Sequence, residues 1–95
     1  MRGQVLKVSS SSNVASVYIA ILKCIKQEGV VHIDSIGMKS SYNALKALII
    51  AIDELLLEGY KTNLRPRYIN VNINNPVDST TAKVAIRFTL VGKKA

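Results

Sequence analysis

The 95-residue chain has no tryptophan, one phenylalanine, one cysteine, one histidine and two prolines. Each scarcity removes a class of function. A lone Cys24 forms no internal disulfide, and with a lone His32 the chain has no Cys/His zinc spacing. Four tyrosines and one phenylalanine are too few for the aromatic platform on which many single-strand binders stack bases, although Tyr42, Tyr60 and Tyr68 remain available. No glycine-rich phosphate fingerprint occurs, and His32 and Asp34 share a strand face without a nucleophile to serve, so no catalytic residues are expected. The most apolar run, Ala44 to Leu57, is interrupted by Lys46, Asp53 and Glu54, and no targeting segment is evident, so a cytoplasmic or nucleoid-associated location is expected.

What the chain does have is positive charge. Thirteen Lys and Arg against six Asp and Glu give +7, which favours a polyanionic partner and above all nucleic acid. Apolar content of 48% with 20% charged residues describes one folded domain over residues 1–95, with room for a single two-layer core and none for a cofactor domain.

Periodicity then orders the chain. Residues Gln4 to Ser9 alternate as a strand, and SSSSN over Ser9 to Asn13 is a loop whose Ser12 or Asn13 caps a helix from Val14 to Glu28. Gly29 closes that helix, and Val30 to Ile36 alternates as a second strand with Val31, Ile33 and Ser35 on one face. Gly37 turns the chain, Ser40 or Ser41 caps, and Leu45, Leu48, Ile49, Ile52 and Leu56 form the stripe of a second helix that ends at Gly59. Tyr60 to Pro66 has the composition of a basic connector, and Tyr68 to Asn74 and Lys83 to Val91 alternate as a hairpin around a turn-rich tip at Asn74 to Thr80. Inward positions are expected at Ile69, Val71 and Ile73 and at Val84, Ile86, Phe88 and Leu90, and the last four residues are expected to fray. The order β-α-β-α-β-β implies an α+β two-layer sandwich, a four-stranded mixed sheet with both helices on one face. The second helix carries more apolar surface than one sheet face covers, which predicts a homodimer.

Two stretches carry a family resemblance. LKVSSSSNVASV from Leu6 to Val17 and IGMKSSYNALKALIIA from Ile36 to Ala51 resemble the stage V sporulation protein S family, which shares its fold with the Alba family of nucleic-acid-binding proteins. DSIGM and the terminal KVAIRFTLV are similar to Alba-like proteins as well. The resemblance implies a non-enzymatic, dimeric DNA- or RNA-binding protein, chromatin-, nucleoid- or RNA-associated, with no cofactor, metal, membrane or small-molecule substrate. Its implied contact line follows the first loop at Lys7, Ser10 and Ser11, the turn at Gly37, Lys39 and Ser40, and the terminal hairpin. Arg65, Arg67, Lys83 and Arg87 would converge with that line if the hairpin pairs as read. Asn74, Asn75 and Asp78 stand where Alba proteins place basic residues, which implies phosphate contact through hydroxyls and amides. The same family resemblance admits an alternative, a regulatory or scaffolding domain that acts through protein contacts.

Overall fold

Alternation and helical spacing resolve into β1 (Gln4–Val8), α1 (Val14–Glu28), β2 (Val30–Ser35), α2 (Met38–Leu57), β3 (Tyr60–Val71) and β4 (Lys83–Lys94). The computed structural model describes residues 2–71 and 83–95, and the expected hairpin tip, with Asn72, Ile73 and Asn74, lies outside them. The strands form one mixed sheet in the order β1-β2-β4-β3, with β1 parallel to β2 across the α1 crossover and the other two pairs antiparallel.

One sheet face is buried. Val31 and Ile33 of β2 and Phe88 and Leu90 of β4 pack with Ile21, Cys24 and Ile25 of α1 and Leu48 and Leu55 of α2. The alternate residues of the same strands face away from the helices, so the expected two-layer α+β sandwich with one open face is the observed architecture.

Asn13 caps α1, its side chain accepting from the amides of Ala15 at 2.9 Å and Ser16 at 3.3 Å, while Ser12 turns its hydroxyl to the Ser9 amide instead. At α2 the expected serine cap is replaced. Gly37 is the cap residue, at φ 89, and no side chain caps the helix. Ser40 and Ser41 lie inside the first turn, where a hydroxyl reaches backward: Ser40 donates to the carbonyls of Ile36 and Gly37, and Ser41 pairs with Ser35 at 2.9 Å.

Four further expectations are corrected. The buried stripe of α2 is Ala44, Ala47, Leu48, Ala51 and Leu55, whereas Leu45, Ile49 and Leu56 are exposed and Ile52 is half-buried. The alanines let the helix approach its neighbours closely, so the largest side chains of the pattern point outward. The basic connector Tyr60 to Pro66 is the first half of β3, and Pro66 is accommodated because β3 is an edge strand. Ile69 is in register with Ala85, on the face of Arg87, and so lies on the open side instead of in the core. Nor does the C-terminus fray, since β4 runs to Lys94 and the Ala95 amide donates to the Gly59 carbonyl at 2.9 Å. Gly92 is buried there, and a larger residue would not fit without moving Ile25 of α1, because a Cβ would come 2.6 Å from its Cγ2.

Candidate nucleic-acid interface

Because β1 and β2 run parallel, both end at the same edge of the sheet, and the serine loop and the Gly37 turn meet there. β3 ends and β4 begins at that edge too, since Ser35 is in register with Ile86 and Ile86 with Tyr68. The loop is held in place. Asn43, one turn into α2, donates from Nδ2 to the carbonyls of Ser9 at 3.3 Å and Ser10 at 3.2 Å. Ser9, Ser11 and Ser12 share hydroxyl contacts at 3.1 and 3.2 Å, which leaves the Ser10 hydroxyl outside that network. Lys39 is exposed on the first turn of α2, beside amides that have no partner within the helix.

Across the open face the register sets Lys7, Asp34, Arg87 and Arg67 side by side on four strands. Arg87 donates from Nε to Oδ1 of Asp34 at 2.7 Å and from Nη2 to Oδ2 at 2.8 Å, a largely buried bidentate pair. The Asp34 carboxylate holds the Arg87 guanidinium protonated above its ordinary range. Its charge is therefore compensated. Lys7, Arg65 and Arg67 are exposed and, among the described residues, make no ion pair. Lys83 opens β4 in register with Val71, and only its backbone is described.

The expected residues thus fall into two groups. Lys7, Arg65, Arg67 and Arg87 share the open face, while Ser10, Ser11, Gly37 and Lys39 rim its end; Ser40 is buried with its hydroxyl committed to carbonyls. Four carboxylates, Glu28, Asp53, Glu54 and Glu58, lie in the closing turns of the two helices, at the opposite end, where Glu58 pairs with Lys26 at 2.9 Å. Sequence reading passed over two residues that shape the site, Asp34 as the partner of Arg87 and Asn43 as the anchor of the loop. The second left a signal, a polar residue among the apolar ones of α2.

The remaining reactive groups are committed. His32 is buried, its Nε2 donating to the Arg2 carbonyl at 2.7 Å and its Nδ1 facing the Thr89 hydroxyl at 2.8 Å, so it makes no pair with Asp34. Among the described residues no group of three His, Cys, Asp or Glu side chains could hold a metal ion, and no helix is long and apolar enough to cross a membrane. Cys24 is buried with its thiol 3.6 Å from Gln4 Oε1, and burial raises its pKa, with Glu28 adding to the effect. A thiol-specific reagent is expected to label Cys24 at least about tenfold more slowly in the native chain than in denaturant. Equal labelling rates would show that the α1 face of the core is open.

No curated protein matches the chain. Among solved structures, Alba from Thermoplasma volcanium superposes with a TM-score of 0.62 at 13% identity, over 92% of this chain and 98% of that one, a likeness of fold. Precorrin-6y C5,15-methyltransferase from Geobacter metallireducens GS-15 aligns at a TM-score of 0.41 and 14% identity, over 96% of this chain but 44% of that one, too weak a likeness to carry an argument. The sequence profile of Stage V sporulation protein S (SpoVS) matches residues 4–93, from the first residue of β1 to the penultimate residue of β4, and the chain belongs to that family.

Proposed function

We propose that the protein is a small, basic, non-enzymatic nucleic-acid-binding protein that acts as a homodimer on DNA or RNA, in the cytoplasm or at the nucleoid. The observation that carries this reading is the uncompensated positive charge on the open face and its rim. Lys7, Arg65 and Arg67 are exposed on that face and Lys39 on its rim, and among the described residues the one carboxylate there, Asp34, is occupied by Arg87. A polyanion gains from such a surface by releasing condensed counterions, whatever its sequence. The Alba-like fold supports the same reading. In it, Lys7, Lys39, Arg65 and Arg67, with Lys83 at the base of the hairpin, supply charge to phosphates. Ser10, Ser11 and the amides after Gly37 supply hydrogen bonds, and Ser40 and Arg87 hold the turn and the face in shape.

A second reading is favoured by one observation, the apolar surface left on α2 by Leu45, Ile49 and Leu56. It runs into a groove of about 610 Å³ lined by Met38, Tyr42, Tyr68, Val84 and Ile86. A scaffolding domain would dock a different protein there. Mobility shifts with duplex DNA, single-stranded DNA and RNA at two salt concentrations separate the readings. Binding that falls steeply with salt is expected. Absence of any shift at low salt would reject nucleic acid as the partner and leave the groove as the functional surface.

A further inference from the structure

The open face of the sheet is not flat. Beside the last described residues of β3, a basin of about 790 Å³ has Val5, Ile36 and Ile69 for its aliphatic floor, with Lys7, Ser10, Asp34 and Arg87 around it. That is the size of ligand pockets, roughly 300 to 1,000 Å³.

We propose that this basin takes one unpaired nucleobase of a single-stranded nucleic acid, with a flanking phosphate at Lys7 and the Ser10 hydroxyl. The inference rests on the nucleic-acid binding proposed above and adds the state of the strand. A phosphate backbone alone has no use for an aliphatic floor, whereas the face of a base removed from its stack does. Asp34 points the same way. A carboxylate repels phosphate and only accepts hydrogen bonds, and each of its oxygens keeps capacity beyond the bond from Arg87. Every unpaired base offers an N–H donor on its Watson–Crick edge, and a duplex consumes that donor in pairing. A stacking platform is missing from this face, because Tyr60 and Tyr68 are in register with Lys94 and Ile86 on the helix side. The base is therefore inserted against aliphatic side chains and held by its edge.

The test compares a single-stranded oligonucleotide with a duplex of equal length on the full chain, by fluorescence anisotropy, for the unaltered protein, Val5→Gln and Ile69→Gln. Val5 and Ile69 are half-buried on the two edge strands, and each variant counts once its thermal midpoint shows a folded chain. Making the floor of the basin polar is expected to weaken single-strand binding roughly tenfold while duplex binding changes by less than about twofold. A 2-aminopurine in the strand is expected to change its fluorescence on binding and to lose that change in the folded variants. Equal losses on both substrates, or none on the single strand, would overturn the inference. If the unaltered protein binds duplex but no single strand, this inference alone fails; if it binds neither, the proposed function fails and takes the inference with it.

Discussion

Replacing Arg65 and Arg67 together by alanine is expected to weaken binding to every nucleic acid by on the order of ten- to a hundredfold, and by similar factors whatever the sequence. The two guanidiniums are exposed two residues apart on the open side of β3, opposite Thr89 and Arg87. Arg87 is already held by Asp34, so it does not substitute for them. Each lost phosphate contact removes about one unit from the slope of log affinity against log salt, so the double variant should be flatter by roughly two units. Titrations at several salt concentrations read both quantities. Unchanged affinity and slope would mean that the arginines only solvate the sheet and that binding lies at the α2 turn.

The second large effect concerns assembly. Ile49 is 58% exposed in the middle of the outward stripe of α2, between Leu45 and Leu56, and the proposed homodimer would cover it. Ile49→Asp places a charge in that contact, where an unpaired buried charge costs several kcal/mol, on the order of the whole margin of a weak dimer. Sedimentation at tens of micromolar, roughly the concentration at which mass action populates such a dimer, is expected to give a dimer for the unaltered chain and a monomer for the variant. Within one subunit the side chain is largely in water, so the variant should keep its folded spectrum. A monomer in the unaltered chain would remove the dimer from the proposal and return the stripe to a heterologous partner.

Much of this architecture was legible because it is local. Periods of two and near four set the order of strands and helices, and the family resemblance agreed with both the fold and the profile match. What escaped the sequence is non-local or depends on size. Pro66 and two basic residues, Lys61 and Arg65, gave Tyr60 to Pro66 the look of a connector, yet pairing with Phe88 to Lys94 across the hairpin makes it strand. The α2 stripe was rotated because hydrophobic counting favours leucine and isoleucine, whereas the tightest contacts go to Ala44, Ala47 and Ala51. Ser40 and Ser41 were one turn too late to cap, and the cap residue Gly37 offers no side chain. At the site, the cations and serines could be enumerated from composition. That Asp34 neutralises Arg87 follows from a cross-strand pairing of residues 53 positions apart, which no local pattern encodes.

The place of β3 at the edge of the sheet carries a cost that the chain has to manage. A twelve-residue border strand presents a row of backbone donors and acceptors to which another chain's border could add, the starting point of aggregation. Pro66, with no N–H to offer, interrupts that row near its middle, and Lys61, Arg65 and Arg67 set like charges along it. The arginines assigned to phosphate are then also gatekeepers against sheet extension. Neutralising them bares the border, so light scattering belongs beside any titration of the Arg65→Ala, Arg67→Ala chain, to tell a lost phosphate contact from protein lost to self-association.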